Sequence, residues 1–381
     1  RYWSREFMER EWDGIWTRAW LIGGLVEQVE RPGDFFTYEI GRESILVTHG
    51  EDGVVRAFYN VCPHRGKRLV MEEQGHAKRI ACSYHGWRFT SGGELNFVPC
   101  PEDFAGGSPC GKVRLEELRC ETFAGFVWVN MDPAAPPLAE HLGPVMPQID
   151  CYRMEQMRRT HWVTLEGDWN WKCVQDNFNE SYHLPFVHPQ TRFVMEQSYK
   201  DCQFDLYAPH GHARMFMPGS RPSRSLRGHT DTVLAMMARE LTYWGLDPED
   251  FRDDPLATRS ALQRAKREQG AAKGYDYARF HDAQLTDHFH YTVFPNLSFS
   301  LKPDGCIWLR ADPHPTDPER CLFDMWYFTW FPEGQDRYFS YSMGQEVDRT
   351  VPVEHLRGMV GELSCGPGID QDVSIWSEQQ Q

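Results

Sequence analysis

Two short ligand pairs, Cys62-Pro63-His64 and Cys82-Ser83-Tyr84-His85, limit this chain more than any other feature. They form a C-x-H pair, a gap of seventeen residues, and a C-x-x-H pair. Two thiolates and two imidazoles so close in sequence are expected to meet at one metal centre. They can hold an iron–sulfur cluster asymmetrically, with sulfur on one iron and nitrogen on the other. A Cys₂His₂ zinc site uses the same ligand types. Each pair falls at a turn between strand-like runs, not on a finger helix. Each is also followed closely by glycine (Gly66 and Gly86), where backbone N–H groups can approach cluster sulfurs. These surroundings favour the cluster.

The rest of the chain is organised around that region. Residues 1–31 are rich in Trp and Glu and are read as helical, with apolar residues at three- and four-step spacing from Ser4 to Trp20. From 32 to 137, short β-type runs alternate with turn signals, and the segment ends in the Pro-rich stretch Asp132–Pro137. Residues 138–381 mix strand-like runs with helical patterns at Asp168–His183, Thr230–Gly245, Pro255–Gly270 and Val353–Leu363, an α+β arrangement around an antiparallel sheet. The charged stretch 219–283 is read as a solvent-facing insertion.

Composition narrows the class of function. A net charge of −15 disfavours nucleic acid and anionic membranes as partners. No apolar stretch approaches the roughly 20 residues of a membrane helix. No basic start with an apolar run marks a signal peptide, and a start at Arg1 without Met suggests trimmed leading residues. Eleven cysteines without scaffold spacing point to a reducing, cytoplasmic setting.

A second constellation lies in Asp176-Asn177-Phe178-Asn179-Glu180-Ser181-Tyr182-His183-Leu184-Pro185-Phe186-Val187-His188. On a straight helix, residues five apart point about 140° from one another, a poor chelating geometry. Pro185 disfavours helix at Leu184, so the helix is expected to end or kink there and let His188 fold back beside His183. His210 with His212 and His288 with His290 alternate like strand residues on one face and are read as packing or surface residues.

Cys62-Pro63-His64-Arg65-Gly66 with Cys82-Ser83-Tyr84-His85-Gly86-Trp87-Arg88-Phe89 closely resembles the Rieske motif of aromatic-ring-hydroxylating oxygenases. The second segment resembles the iron-binding helix of the same family. The resemblance implies a Rieske domain over 32–137, whose [2Fe–2S] cluster is bound by Cys62, His64, Cys82 and His85. It also implies a catalytic domain of helix-grip, START-like fold over 138–381, with the 1–31 segment packed on it. A mononuclear Fe(2+) would be held by His183, His188 and an aspartate near the C-terminus. Asp372, eight residues before Gln380, matches the family's spacing, and Asp370 remains a rival because Gln371 stands where an acid often precedes the ligand.

By the same resemblance, Glu180 would bridge a cluster histidine of one subunit and an iron histidine of its neighbour in a head-to-tail homotrimer. Electrons would come from NAD(P)H through a separate reductase, with or without a ferredoxin, and a small β subunit is a further partner the family uses. The expected reaction is hydroxylation or dihydroxylation of an aromatic or other apolar small organic substrate with O₂. Most ring-dihydroxylating members carry Asp where this chain has Glu180, so oxidation of a quaternary ammonium or methylated compound is the alternative. An electron-transfer protein without oxygenase activity is the remaining class.

Overall fold

The computed structural model describes residues 1–340 and 343–379; Gln380, used above for spacing, lies outside them. The chain divides into two compact units. One comprises Arg1, Trp3–His141 and Pro313–Asp317; the other comprises Tyr2, Leu142–Asp312 and Pro318–Gln381.

In the first unit, helix α1 (Arg5–Glu11) is followed by ten strands: β1 (Leu21–Leu25), β2 (Asp34–Ile40), β3 (Glu43–His49), β4 (Val55–Tyr59), β5 (Gln74–His76), β6 (Arg79–Ala81), β7 (Arg88–Thr90), β8 (Leu95–Phe97), β9 (Glu117–Phe123) and β10 (Phe126–Asn130). Seven form an antiparallel sheet in the order β1-β10-β9-β4-β3-β2-β5, and β6-β7-β8 form a second, smaller one. Phe35, Leu46, Phe58, Ile80, Trp87 and Phe89 build the core beneath the two ligand loops, and Cys62 and Cys82 belong to that core.

The helical reading of residues 1–31 fails beyond Trp16. Leu21–Leu25 is a strand paired with β10, Leu21 opposite Val129, and the segment joins the first unit instead of the second. Five residues are too few for periodicity to separate helix from strand. Gly24 also lies against Phe36, where a Cβ would come within 2.7 Å of the ring.

The first unit also holds all but the last residue of α2 (Leu138–Leu142); the second holds α3 (Val145–Asp150), α4 (Trp171–Phe178), α5 (Leu184–Val187), α6 (Thr230–Tyr243), α7 (Thr258–Gln269) and α8 (Pro367–Gln379). Its strands are β11 (Arg158–Gly167), β12 (Gln203–Tyr207), β13 (His212–Met217), β14 (His288–Val293), β15 (Leu297–Lys302), β16 (Gly305–Pro313), β17 (Cys321–Thr329), β18 (Arg337–Ser340), β19 (Gln345–Asp348) and β20 (His355–Met359). The main sheet runs β12-β13-β14-β15-β16-β17-β11-β20, mostly antiparallel, with β20 parallel to β11. Helix α4 lies against α8 and against β15 and β17.

Two further expectations change here. Val353–Leu363 is not helical: its apolar spacing suits either form, and pairing with Trp162–Glu166 plus the stacking of His355 on Trp162 (3.5 Å between centroids) selects the strand. Residues 219–283 are not a solvent-facing excursion. Helix α6 buries Val233, Leu234, Met237 and Leu241, and α7 buries Ala261 and Leu262. Even the charge of Lys266 is inside, its Nζ donating to Glu240 Oε1 (2.8 Å) and the Leu285 carbonyl (2.7 Å).

Candidate metal centres

The two cluster loops are built alike. Cys62 N–H donates to the Lys67 carbonyl and Cys82 N–H to the Trp87 carbonyl, both at 2.8 Å. Gly66 and Gly86 donate back to the carbonyls of Cys62 and Cys82, both at 2.9 Å. Each loop therefore closes tightly at a left-handed residue, with φ of +67° at Gly66 and +70° at Gly86. The cysteines are buried, whereas His64 and His85 are exposed. The imidazole rings lie 4.7 Å apart, and His64 stacks on Trp87 at 4.6 Å.

Burial pushes the Cys62 thiol up, while the backbone N–H groups of His64 and Arg65 directed at it pull the other way without prevailing. A buried sulfur pair with N–H donors around it and two surface imidazoles suits a cluster whose histidine-bound iron faces outward.

The second site begins with α4. Asn170 caps it, its side-chain oxygen accepting from Lys172 N–H at 3.0 Å. The helix stops at Phe178, five residues earlier than expected. Glu180 takes over as the cap of the next turn, accepting from the N–H of Tyr182 and from that of His183 at 3.1 Å. Pro185 starts a helix instead of ending one: it lies in the first turn of α5, where a missing N–H costs nothing. His183 and His188 flank this one turn of helix, and with His188 leaving helical geometry (φ −121°, ψ 57°) their rings lie 5.3 Å apart.

Helix α8 brings the third group. One ligand atom each from His183, His188 and Asp372 lie within 4.8 Å of one another. Asp372 Oδ1 is 2.9 Å from His188 Nε2 and 3.6 Å from His183 Nε2, and the residue is only 2% exposed. Asn177 Nδ2 donates to the same oxygen at 3.3 Å. Asp370 is turned away into the cap of α8, accepting from Cys365 N–H (2.7 Å) and Ser364 Oγ (2.5 Å).

The far nitrogen of each imidazole is also held. His183 Nδ1 lies 2.6 Å from Glu180 Oε1, and His188 Nδ1 lies 2.8 Å from Gln371 Oε1, which Gln190 Nε2 also approaches at 2.7 Å. An acceptor on Nδ1 fixes the tautomer with its lone pair on Nε2, the nitrogen that faces Asp372. Burial pushes His188 down, but the hydrogen bond and charge of Asp372 outweigh it and the net shift is upward. Burial likewise pushes Glu180 up, and its bond to His183 reverses the sign. Two imidazoles and one carboxylate whose ligand atoms converge in this way suit a divalent iron with positions left for other ligands.

Known families match both units. The family described as "Ring hydroxylating alpha subunit (catalytic domain)" matches residues 154–381, and "Rieske [2Fe-2S] domain" matches residues 19–118. The chain belongs to the Rieske-type ring-hydroxylating oxygenases, as an alpha subunit.

This oxygenase is 31% identical over 327 residues to the large oxygenase component of the naphthalene 1,2-dioxygenase system of Pseudomonas putida, covering 82% of this chain and 68% of the relative. The carnitine monooxygenase oxygenase subunit of Escherichia coli (strain K12) is 35% identical over 191 residues, 49% of this chain and 50% of the relative. Naphthalene 1,2-dioxygenase from Rhodococcus sp., solved with indole bound, shares the fold at a TM-score of 0.67 and 19% identity, covering 99% of this chain and 80% of that one. The quaternary ammonium Rieske monooxygenase CntA, solved with γ-butyrobetaine, gives 0.63 and 20% over 88% and 75%. The oxygenase thus carries a [2Fe–2S] cluster and a mononuclear iron, and it is the O₂-using terminal component of its system. Among the described residues no helix is long and apolar enough to cross a membrane.

Gln371, the partner of His188 Nδ1, is the residue beside the three-residue cluster that sequence reasoning passed over. Its only signal was a departure from the family pattern, noticed as a doubt about Asp372 and not as a partner for His188.

Proposed function

We propose that this oxygenase hydroxylates or dihydroxylates an aromatic or other apolar substrate. In this reading Cys62, His64, Cys82 and His85 bind the cluster, while His183, His188 and Asp372 bind the iron. The iron site is carried by the convergence of those three side chains, each histidine oriented by an acceptor on its other nitrogen, and the aromatic substrate class is supported by the likeness to a naphthalene 1,2-dioxygenase large oxygenase component. When bound, the metal groups supply electron delivery and O₂ activation. The chain's own residues do the rest: Glu180 and Gln371 hold the two Nδ1 protons, and burial of Asp372 and His188 keeps bulk water from the ligand atoms.

Electrons would come from NAD(P)H through a separate reductase, with or without a ferredoxin. Glu180 would be the bridge to the cluster of a neighbouring subunit in a homotrimer. Its supporting feature is its setting: it is half-buried beside Tyr182 (85% exposed) and Phe186 (81% exposed). Large exposed aromatics next to a carboxylate suit a surface that another chain covers. A second reading, oxidation of a quaternary ammonium compound, is favoured by glutamate at position 180 and by the carnitine monooxygenase relative.

Product analysis separates the two. The loaded protein, given a surrogate reductase, O₂ and a panel of aromatics and methylated amines, should yield hydroxylated or dihydroxylated aromatics. Formaldehyde or an aldehyde from the amines alone would favour the second reading.

A further inference from the structure

The small sheet β6-β7-β8 has an inner and an outer face, because successive side chains of a strand alternate. Ile80, Phe89 and Leu95 turn inward, to the core that also holds Cys62 and Cys82. Arg79 and Ala81 of β6, Arg88 of β7 and Phe97 of β8 are exposed on the other side. The register sets Ala81, Arg88 and Phe97 side by side across the three strands. The Arg88 guanidinium lies over the Phe97 ring, 4.5 Å from its centroid.

This face is cationic in an acidic protein. Between Cys62 and Thr90 the chain carries six Lys and Arg against two acidic residues, although its net charge is −15. Arg68 is tied to Glu39 (3.1 Å), but Arg65, Lys67, Lys78 and Arg79 make no ion pair among the described residues. Clustered like charges without partners repel one another and add nothing to the fold. A partner of opposite charge relieves that repulsion, and an exposed aromatic ring among guanidinium groups is the composition of a protein interface.

The face is also the surface next to a cluster ligand. Cys82 follows Ala81 directly and Trp87 precedes Arg88, so β6 and β7 run straight into the second cluster loop. Ala81 carries only a methyl group, and a partner seated there meets the chain one residue from Cys82. His85 of the same loop is the end that Glu180 of a neighbouring subunit would take in the reading above, which leaves the electron source another way in.

We propose that the outer face of β6-β7-β8, centred on Arg79, Arg88 and Phe97, is the docking surface for an acidic electron-carrier protein, which delivers its electron at Cys82 while His85 serves as the exit. One electron leaves the carrier and one enters the cluster, and no bond is made or broken. The inference rests on the reading that a separate protein supplies the electrons.

The probe is a plant-type [2Fe–2S] ferredoxin, an acidic carrier whose potential lies below that of a Rieske centre. Binding of the oxidised ferredoxin to the oxidised holoprotein is measured by calorimetry, and reduction of the cluster by photoreduced ferredoxin is followed by stopped-flow absorbance. In the wild type both should weaken as salt rises, since opposite charges are screened. Arg79→Glu/Arg88→Glu should lose about tenfold or more in affinity and in rate at low salt. Reduction by the small photoreduced deazaflavin should be unchanged in that variant. Arg264→Glu, a charge reversal at an exposed residue of α7, should stay within about twofold of wild type. Arg79→Glu alone keeps the test readable if the double variant does not fold, and should cost about threefold or more. Affinity and rate unchanged by Arg79→Glu and the double variant overturn the proposal and leave a merely solvated charged face. An equal loss in Arg264→Glu, or a wild type indifferent to salt, also overturns it. Failure of the underlying reading would look different: a wild-type cluster that deazaflavin reduces and ferredoxin does not, at any salt, would overturn that reading and the proposal with it.

Discussion

Gln371 Oε1 lies 2.8 Å from Nδ1 of His188, while Oδ1 of the very next residue, Asp372, lies 2.9 Å from Nε2 of the same ring. Two successive residues of α8 therefore grip one imidazole at both ends. Helix α8 thus supplies the carboxylate of the three-residue cluster and also an acceptor for the far nitrogen of one of its histidines.

The first prediction follows from that grip. Gln371→Leu should leave the fold intact but weaken iron binding by about 10–100-fold, the usual effect of losing an outer hydrogen bond to a ligating histidine. Gln371→Glu, which keeps the acceptor, should bind iron far better than Gln371→Leu. Chelator competition, read as iron retained per chain, measures both.

Asp372 and Asp370 should separate cleanly. Asp372→Ala removes the carboxylate facing both Nε2 atoms and should abolish product formation while the visible cluster spectrum persists. Asp370→Ala removes only cap bonds to Ser364 and Cys365. It should cost about 1 kcal/mol of stability and retain activity. Loss of activity in Asp370→Ala with retention in Asp372→Ala would reverse the assignment.

Glu180 should matter for electron delivery more than for metal content. Glu180→Gln should retain cluster and iron but slow turnover by roughly a hundredfold or more, because an amide is a poor substitute for a carboxylate that orients His183. Mixing His85→Ala subunits with His183→Ala subunits should restore partial activity in mixed trimers. No recovery in demonstrably mixed trimers would place the electron path within one chain.

The cluster loops were legible in the sequence because they are local: each Cys, His and Gly lies within a five-residue turn, and turn chemistry is written in adjacent residues. The same holds for the alternation of short β-type runs and turn signals over 32–137, where β2 to β10 lie. The break expected at Leu184 is not there: α4 already ends at Phe178, ahead of both histidines, and Leu184–Val187 is a helical turn that Pro185 helps to begin. Helix α8 was missed because Gly366-Pro367-Gly368 looks like a loop, although proline at a first helical turn is ordinary. Strand β20 and strand β1 were misread for one shared reason. Each is a short segment whose form is chosen by a partner strand distant in sequence, Trp162–Glu166 in one case and Phe126–Val129 in the other.

Glu196 gives a prediction about stability. It is fully buried and accepts from Ser223 Oγ (2.6 Å), Arg224 N–H (2.9 Å), Ser198 N–H (3.1 Å) and Arg221 Nη2 (3.1 Å). Burial pushes its pKa up, but these donors, led by the Arg224 N–H, bring it below the ordinary 4.5. A depressed folded pKa adds stability that is fully present above the unfolded pKa and lost as pH falls through the folded one. Glu196→Gln should therefore destabilise by about 3 kcal/mol at pH 7. The gap between wild type and variant should narrow as pH drops below 4.5. Denaturant midpoints measured at pH 7 and at pH 4 and below would check it; a gap that widens on acidification would contradict the sign.

Iron and acid-labile sulfide counted per chain, in the wild type and in His183→Ala, test the central claim most directly. The account predicts two sulfides with three irons in the wild type, and two sulfides with two irons in His183→Ala, the cluster spectrum unchanged between them. Zinc without sulfide in the wild type, or loss of cluster iron and not mononuclear iron in His183→Ala, would contradict it.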